Sequence, residues 1–424
     1  MVNRLESVRG MEDILPGESE KWQWLEEQAR IFFEVKGFSE IRTPLVEPTE
    51  LFARSIGEAT DIVNKEMYTF EDRGGRSLTL RPEMTASVAR AVLQHNLLRD
   101  AGKSLWLYYI GPMFRAERPQ AGRKRQFHQI GAELVNCGAG DSDFKSVGLL
   151  YEFLRFLGIT GLKLRVNDLS QINGAQSPRI LQALGDHFKR YESKLSADSA
   201  NRLKKNVLRI FDSKDPQDQE AIEAAPWEKI APLSDDFMAV TKRLEEKKIP
   251  FEINRRLVRG LDYYTGMVYE IVADGLGAQD ALAGGGRYDR LYEELGGKSF
   301  PCTGFSVGME RLLIVLGLLD NFWARQLRQK SVYFAITEAH DGMNSRREEA
   351  ALRLRRLGFR ILPGSVETSL TKHLKKANQE MARFVAILGS RELKDGQWSV
   401  KDMLRHTQSC VPFSELADYL QGLV

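Results

Sequence analysis

Cysteine is scarce in this chain of 424 residues. Cys137, Cys302 and Cys410 lie far apart and form no C-x-x-C pair, so neither a disulfide framework nor a cysteine zinc site is indicated. No run of about 18 apolar residues is present to span a bilayer, and the N-terminal stretch lacks the apolar segment of a secretory signal. We expect a cytoplasmic protein without membrane contact.

An excess of charge of one sign is also missing. The 61 Lys and Arg nearly balance the 58 Asp and Glu, which leaves a formal net charge of +3. Any contact with nucleic acid must therefore come from local clusters of Lys and Arg. At roughly 150 residues per domain, the length predicts about two or three domains.

Several common catalytic motifs are absent. The chain has no G-x-x-x-x-G-K-[ST] phosphate loop, no G-x-G-x-x-G after a strand, no H-E-x-x-H and no G-x-S-x-G. Instead, arginines stand at predicted strand ends or helix starts, and their planar guanidinium groups suit a polyphosphate substrate. For each of them singly, a structural ion pair with a nearby Glu is the alternative. They are Arg81, Arg115, Arg259 and Arg311.

The hydrophobic pattern predicts the order of elements. Residues 18–36 form an amphipathic helix, and a strand follows at 40–46, where a proline favours an edge or interface position. Hairpins are predicted at MYTFED-RGGR-SLTLRPE and between LWLYYIGPMFR and QFHQIGAELV, the second with a loop at 116–125. About eighty residues after the strand at 162–166 are charged and helix-forming, which indicates an inserted helical subdomain.

The last part of the chain has a different pattern. SVYFAIT, FRILPG and RFVAILG are strand-like and alternate with helices, which predicts a small α/β domain with a largely parallel sheet. The excess positive charge lies here, and the helix SLTKHLKKANQ carries Lys372, His373, Lys375 and Lys376. This helix fits an RNA backbone contact, although a solvated helix face fits equally well.

The segment FRAERP…RKRQFHQ is rich in basic residues around a single acid, Glu117. On a hairpin it places one arginine at a strand end and a basic loop beyond it. These positions suit a nucleotide phosphate and a nucleic-acid strand, respectively. A solvated hairpin tip is the alternative. The basic residues are Arg115, Arg118, Arg123, Lys124 and Arg125.

Several blocks of the sequence, taken in their order along the chain, resemble the motifs of a known family. TPLVEP, FRAERP…RQFHQIGAE and GFSVGMERL resemble motifs 1, 2 and 3 of class II aminoacyl-tRNA synthetases. RLVRGLDYYTGMVYE and AGGGRYDRL resemble the two signature segments of the histidyl-tRNA synthetase family, and RGMEDILP resembles its N-terminal block. The blocks occur in the right order over nearly the whole chain, which makes chance similarity improbable.

This resemblance implies the fold. We expect an α+β catalytic domain on an antiparallel sheet over residues 1–325, with the helical insertion at about 168–248. A C-terminal α/β anticodon-binding domain then covers residues 330–424, so that the whole chain is α/β. Three positions depart from the family pattern and bear on the pocket geometry: Met84, Met267 and Arg290.

The resemblance also implies the reaction. Histidine and ATP form histidyl-adenylate and pyrophosphate, and the histidyl group then passes to the 3′ end of tRNA(His). Because the histidine carboxylate is already ionised at neutral pH, no enzyme nucleophile or base is needed for activation. Positioned arginines and Mg²⁺ bridging the β- and γ-phosphates of ATP supply the charge neutralisation. No protein ligand for a metal is identified from the sequence.

Roles follow from the matching positions. Arg115 corresponds to the arginine on the α-phosphate, Arg311 to that on the ATP tail, and Arg259 to one that contacts both α-phosphate and substrate carboxylate. Glu117 matches a position near the adenine. The group that holds the substrate ammonium is implied to be Glu83, Thr85 and Gln129.

Glu133 and Tyr264 match the pair that reads the imidazole, because a carboxylate and a phenol satisfy its one donor and one acceptor. Tyr263 and Tyr288 are placed in the same pocket, with core packing as the alternative. The motif 2 loop is implied to contact tRNA through Arg118, Arg123, Lys124 and Arg125. His128 alternates with Gln129 along a strand and is interpreted as structural.

Two alternatives are weighed against this hypothesis. A histidine-sensing regulatory subunit of ATP phosphoribosyltransferase, which charges no tRNA, usually lacks the C-terminal domain that this chain retains. Another class II synthetase, of threonyl or prolyl type, would not explain RGLDYYTGMVYE. The resemblance further implies a homodimer with the first helix and the proline-containing strand at the interface.

Overall fold

The structure is a computed structural model that describes residues 5–57, 60–98, 102–119, 122–173, 177–274, 276, 281–320, 322–328, 330–338, 341–362 and 369–424. The chain divides into two compact units, one of residues 1–15 with 25–316 and one of residues 16–24 with 317–424. Of the helices in the described part of the chain, none has the length of apolar sequence that crossing a bilayer requires.

The first unit contains a large and a small sheet. Its strands are β1 (Ser39–Glu40), β2 (Val46–Pro48), β3 (Tyr68–Glu71), β4 (Ser77–Leu80), β5 (Leu105–Phe114), β6 (Gln126–Val135), β7 (Lys163–Asp168), β8 (Phe251–Ile253), β9 (Met267–Val272), β10 (Ala281–Arg287) and β11 (Cys302–Gly308). The large sheet has the order β1-β5-β6-β11-β10-β9-β7-β8 and the small one β2-β4-β3. Among the strand pairs of the described residues, the edge pairs β1–β5 and β7–β8 of the large sheet are parallel and the others antiparallel, so the expected antiparallel sheet is confirmed.

Helices surround the large sheet and form the insertion between β7 and β8. They are α1 (Ser19–Val35), α2 (Thr49–Ile56), α3 (Thr85–Gln94), α4 (Asp141–Phe156), α5 (Ser170–Asn173), α6 (Ser177–Lys189), α7 (Ala197–Lys205), α8 (Pro216–Glu223), α9 (Trp227–Ile230), α10 (Asp235–Glu246), α11 (Leu291–Glu294) and α12 (Met309–Gly317). A π turn lies at Ile62–Glu66, and 3-10 turns lie at Glu192–Lys194 and Val207–Asp212. Helices α5 to α10 are the helical insertion that the composition predicts.

The two faces of the large sheet differ because side chains alternate along each strand. On the back face, Tyr108 of β5 stacks on Phe33 of α1 with ring centroids 5.3 Å apart. Phe33 also packs against Phe153 of α4 at 5.3 Å. Helices α1 and α4 therefore cover the back face with apolar side chains. The opposite face, called the front face below, carries Glu133 and the neighbouring polar residues.

Both predicted hairpins are confirmed. β3 pairs with β4, and β5 pairs with β6 along all ten residues. Residues 120 and 121 of the connecting loop lie outside the described residues. The predicted strand at 40–46 is wrong, because the chain forms β1 and β2 with an irregular stretch between them. In this stretch Arg81 Nη1 donates hydrogen bonds to the carbonyl oxygens of Thr43 at 2.8 Å and Pro44 at 3.4 Å, which therefore do not pair with a strand.

The second unit contains a mixed sheet of order β13-β12-β14-β15-β16. Its elements are α13 (Phe322–Arg328), β12 (Ser331–Ile336), α14 (Asp341–Arg356), β13 (Arg360–Leu362), α15 (Leu370–Gln379), β14 (Phe384–Leu388), α16 (Ser390–Asp395), β15 (Gln397–Asp402), β16 (Thr407–Pro412) and α17 (Leu416–Gln421). Residues 363–364 of the predicted FRILPG strand lie outside the described residues.

The three predicted strands β12, β13 and β14 are parallel, as expected. The expectation of a largely parallel sheet is wrong for its other half, because β14–β15 and β15–β16 are antiparallel. The short helix α16 ends at Gly396, whose φ of 69° permits a left-handed turn that reverses the chain into β15. A short reversal of this kind places the next strand antiparallel to the previous one.

Helix α15 contains the predicted RNA-facing residues. Lys372 and Lys375 are exposed, but His373 is fully buried. The His373 ring lies 3.1 Å from the Tyr333 hydroxyl and 2.9 Å from the Ile336 carbonyl oxygen. His373 is thus a satisfied core histidine, and its assignment to an RNA contact is wrong.

Candidate active site

Glycines on two adjacent strands make room for the site on the front face. Gly304 of β11 stands opposite Glu133 of β6 and Gly286 of β10. A Cβ at Gly304 would collide with the Glu133 carboxylate, and one at Gly286 would lie 2.8 Å from the Tyr264 ring. The absence of side chains at these positions lets Glu133 and Tyr264 lie flat on the sheet.

One cavity of about 140 Å³ adjoins these glycines, and we call it the acid pocket. It is lined by the polar residues Glu83, Thr85, Tyr109, Arg115, Gln129, Arg259, Tyr263, Tyr264, Tyr288 and Ser306. Glu133 is 1% exposed and is not one of the lining residues. It lies behind them, where Thr85 Oγ1 donates to Glu133 Oε1 at 2.8 Å and the Tyr288 hydroxyl donates to Oε2.

Glu83 sits at the start of α3. The backbone N–H groups of Thr85 and Ala86 each donate to one Glu83 oxygen at 2.8 Å, which uses two of the unpaired donors of the helix N-terminus. The Tyr263 hydroxyl lies 3.5 Å from Glu83 Oε2. The carboxylate is therefore held in one orientation by the backbone where Glu83 lines the acid pocket.

Burial dominates the pKa of both acids. It raises the pKa of Glu133 to about 8, although hydrogen bonds from Tyr288 and Thr85 act in the opposite direction. Burial also raises the pKa of Glu83 against the backbone hydrogen bonds of α3. Burial thus disfavours the ionised form of both acids, and a ligand that donates hydrogen bonds to their oxygens or carries positive charge would offset that cost.

The three tyrosines pack together at the pocket. The Tyr263 ring centroid lies 4.8 Å from that of Tyr264 and 5.7 Å from that of Tyr288. All three are buried and line the same cavity, so the structure brings them together as the resemblance implies. The hydroxyl that donates to Glu133 belongs to Tyr288, a pairing that sequence matching did not predict.

A second cavity of about 200 Å³ continues from the first, and we call it the arginine cavity. Arg115, Gln129, Arg259 and Ser306 line both cavities. The arginine cavity adds a set of charged residues, namely Glu117, Arg123, Glu270, Glu310 and Arg311. The two cavities therefore meet at two of the predicted arginines.

Neutral oxygens orient two of these arginines. Arg115 Nε donates to the Pro82 carbonyl oxygen at 2.9 Å, and its guanidinium lies 5.2 Å from the Phe127 ring centroid. Arg311 Nη1 donates to the carbonyl oxygen of Ala281. These carbonyl oxygens restrain both guanidinium groups, and the described lining of the cavity has four arginines against three glutamates.

Arg81 does not line either cavity. Its side chain is buried, and it donates to Pro112 O at 3.0 Å as well as to the backbone at Thr43. Arg81 therefore ties β5 to the stretch before β2. Its inclusion among the candidate polyphosphate ligands is wrong.

The loop between β5 and β6 is anchored at its base. Arg123 Nη1 lies 3.3 Å from Glu117, Lys124 Nζ lies 2.7 Å from Glu12, and the Arg125 amide donates to Gly10 O at 2.8 Å. Arg118 is exposed. The N-terminal block thus holds the base of the loop, and Arg118 projects to solvent.

His128 lies on the opposite side of β6 from Gln129. Its backbone N–H donates to the Glu310 carboxylate at 3.0 Å, and its Nδ1 lies 3.1 Å from Glu310 Oε1. The structural role predicted for His128 agrees with these contacts. Gln129 Nε2 donates to Ser306 Oγ at 3.2 Å on the front face.

Sequence reasoning missed Tyr109, Ser306 and Glu270, which all line the cavities. A charged residue inside the apolar run VYEIV was the available signal for Glu270. Of the departures from the family pattern, Met84 is 1% exposed and its sulfur accepts from Thr43 Oγ1 at 3.4 Å. Its side chain packs in the core instead of entering the acid pocket.

Among the described residues, no cluster of three or more His, Cys, Asp or Glu side chains could hold a metal ion.

An antiparallel sheet with parallel edges, a motif 2 arginine at the end of β5 and a motif 3 arginine at the start of α12 define a class II aminoacyl-tRNA synthetase. The family model described as histidyl-tRNA synthetase matches residues 10–312, and that of an anticodon binding domain matches residues 331–423. The chain belongs to the histidyl-tRNA synthetase family.

Individual proteins agree with this assignment. The histidine–tRNA ligase of Synechococcus sp. (strain RCC307) is 43% identical over 420 residues, which cover 98% of this chain and 99% of that protein. The structure of apo histidyl-tRNA synthetase from S. aureus matches with a TM-score of 0.72 and 29% identity over 99% of this chain and 100% of that one.

A third match bears on the regulatory alternative. An ATP phosphoribosyltransferase regulatory subunit/histidyl-tRNA synthetase from Bacillus halodurans has a TM-score of 0.61 and 23% identity, and covers 89% of this chain and 97% of that one. At this identity the likeness concerns the fold alone. The anticodon-domain match over residues 331–423 favours the synthetase over a regulator without that domain.

Proposed function

We propose that this enzyme activates L-histidine with ATP and transfers the histidyl group to the 3′ end of tRNA(His). The observation that carries the proposal is the junction of the acid pocket with the arginine cavity at Arg115 and Arg259. An amino acid whose ammonium and imidazole occupy the acid pocket would direct its carboxylate to this junction, where ATP phosphates meet the arginines.

The first step is attack of a histidine carboxylate oxygen on the α-phosphorus. The bond to the oxygen bridging the α- and β-phosphates breaks, and pyrophosphate leaves with its Mg²⁺. Arg115 and Arg259 stabilise the charge that develops on the α-phosphate, and Arg311 holds the ATP tail. Glu117 lies near the adenine of the bound ATP. Mg²⁺ would enter as part of the MgATP substrate and neutralise phosphate charge there.

Histidine selectivity comes from the acid pocket. Glu83, Thr85 and Gln129 accept hydrogen bonds from the ammonium group, while Tyr264 and the Glu133–Tyr288 pair bind the imidazole nitrogens. An amino acid without those nitrogens leaves buried polar groups unpaired, which is a strong basis for rejection. Tyr263 packs beside Tyr264 and closes the pocket on one side.

In the second step, a hydroxyl of the terminal tRNA ribose attacks the carbonyl carbon of the adenylate, and AMP leaves. We infer that the loop residues Arg118, Arg123, Lys124 and Arg125 contact the tRNA backbone near this end. Residues 330–424 bind the anticodon region, and residues 1–325 form the catalytic domain with its insertion at about 168–248. The active form is a homodimer.

The test is exchange of radiolabelled pyrophosphate into ATP without tRNA, with Mg²⁺ and each amino acid supplied singly. Exchange with histidine alone is the expected result. Saturable histidine binding without exchange would instead favour the regulatory alternative. Exchange with another amino acid would contradict the proposed selectivity.

A further inference from the structure

Arg259 lies over Glu270 and Gly284, which are on two neighbouring strands. We call these two positions the seat. Glu270 of β9 and Gly284 of β10 are direct cross-strand partners, so their side-chain positions are on the same face. Arg259 Nη1 donates to Glu270 Oε2 at 3.1 Å. A Cβ at Gly284 would lie 2.5 Å from Arg259 Nη2, so the guanidinium rests directly on the sheet where glycine leaves space.

The seat extends outward along the same cross-strand row. Arg165 of β7 is the partner of Glu270 on one side and of Glu252 on the other. Arg165 Nη1 lies 3.7 Å from Glu270 Oε1, and Arg165 Nε donates to Glu252 Oε1 at 3.0 Å. The row therefore alternates in charge from the sheet edge to Arg259.

Each Glu270 oxygen faces a different arginine, and this geometry fixes the plane of the carboxylate. The side chains of Glu270 and Arg259 are 16% and 23% exposed, so their interaction is less screened than that of a surface pair. Burial lowers the pKa of Arg259, but Tyr264 and Glu270 outweigh it and raise the pKa overall. The guanidinium thus stays charged while its position is restrained.

We propose that Glu270 is a positioning residue that aims Arg259 at the reacting α-phosphate, with Arg165 holding Glu270 in turn. This inference rests on the proposed function. Glu270 binds Nη1 of Arg259, and Tyr264 also forms a hydrogen bond with the Arg259 side chain, so the guanidinium is restrained from two sides. An arginine on a long side chain that is fixed before the reaction loses less entropy in the transition state.

Because Glu270 lines the arginine cavity, a direct contact with MgATP is the competing interpretation. The two differ in their dependence on Arg259. A residue that acts through Arg259 has little effect once Arg259 is replaced, whereas a direct substrate contact retains its own effect.

The experiment measures histidine-dependent pyrophosphate exchange for Glu270→Ala, Glu270→Gln, Arg259→His and the double variant Glu270→Ala/Arg259→His. We expect Glu270→Ala to lower kcat about tenfold, with the histidine KM and MgATP KM within about twofold of the parent enzyme. Glu270→Gln keeps a hydrogen-bond acceptor and should lose less. In the Arg259→His background, Glu270→Ala should change kcat by less than about twofold.

Two further variants sharpen the result. Arg165→Met keeps an apolar stem of similar reach and should lower kcat by about threefold. Glu252→Gln, at the outer edge of the row and 62% exposed, is the matched control and should leave kcat unchanged. Melting temperatures for all variants separate a folding defect from lost positioning.

Three outcomes would overturn the inference. One is a parental kcat for Glu270→Ala, and another is an equal loss from Glu270→Ala in both backgrounds. The third is a raised MgATP KM or Mg²⁺ requirement, which would indicate direct substrate contact. If the parent enzyme shows no exchange with histidine, the proposed function fails first and this inference fails with it.

Discussion

The acid pocket and the arginine cavity share residues but hold their charges in different ways. In the acid pocket, neutral donors satisfy the carboxylates of Glu83 and Glu133, and burial favours their protonated forms. In the arginine cavity, neutral carbonyl oxygens orient Arg115 and Arg311, and arginines outnumber acids in the described lining.

This difference matches the two kinds of ligand. A small amino acid is recognised by unpaired hydrogen-bonding groups in a rigid pocket, so burial gives selectivity. A polyphosphate needs concentrated positive charge, so partly open arginines suit it. Arg259 belongs to both regions, because it lines both cavities. Unlike Arg115 and Arg311, it is positioned by an acid, Glu270. Replacements on either side should therefore affect different kinetic constants.

The largest expected effect is at the junction. Arg259→His should lower kcat for pyrophosphate exchange by about 10²–10³-fold, because it removes charge stabilisation from the transition state. Histidine Kd, measured by calorimetry, should change by less than about threefold, since the acid pocket keeps its ammonium and imidazole contacts. Equal losses in kcat and in histidine affinity would contradict a transition-state role.

A matched pair of glycine variants separates the two cavities. Gly304→Ala places a methyl group against the Glu133 carboxylate and should raise the histidine Kd by about tenfold or more. Gly284→Ala places one 2.5 Å from Arg259 Nη2 and should instead lower kcat about tenfold. Steady-state exchange kinetics check both. The same change in the same constant for both variants would argue against distinct roles, and melting temperatures serve as the folding control.

Substitutions in the second unit should affect neither cavity, and they therefore serve as a comparison. Lys372→Glu/Lys375→Glu reverses two exposed charges on α15 and should raise the tRNA KM for aminoacylation by about tenfold or less. The effect should shrink as salt rises, because counterion release drives phosphate contacts. Pyrophosphate exchange without tRNA should not change. Parental aminoacylation at low salt would remove α15 from the tRNA-binding surface.

The remaining expected effect concerns stability and not a kinetic constant. Glu133 has a native pKa of about 8, raised by burial from an ordinary 4.5, so the native state binds a proton that the unfolded chain has lost between these values. The free energy of unfolding should therefore fall as pH rises through this window.

The Glu133→Gln variant has no ionisable side chain at this position, so its free energy of unfolding should not show that decrease. Between pH 5.5 and 7.5, its stability relative to the parent should rise by roughly 2 kcal/mol. Thermal melts of the ligand-free proteins at several pH values test this. Parallel curves for the two proteins would show that Glu133 is already ionised in the native state.

Local patterns predicted the elements that depend on neighbouring residues. The β5–β6 hairpin followed from alternating apolar residues around a polar loop, and the insertion followed from its helix-forming composition. The strand predicted at 40–46 failed for a non-local reason, because Arg81 takes up the carbonyl oxygens of Thr43 and Pro44. No pattern within that stretch could show a partner almost forty residues away.

The sequence by itself determined the family, the order of the motifs and the residue types at the reacting positions, since these follow from ordered blocks such as RGLDYYTGMVYE. Tertiary structure decided which of those residues meet. It brought the Tyr288 hydroxyl into a hydrogen bond with Glu133 and placed Arg259 against Glu270 and Gly284. It also buried Arg81 in the core. The physical reason is that cross-strand register joins residues distant in sequence, and only the folded sheet sets that register.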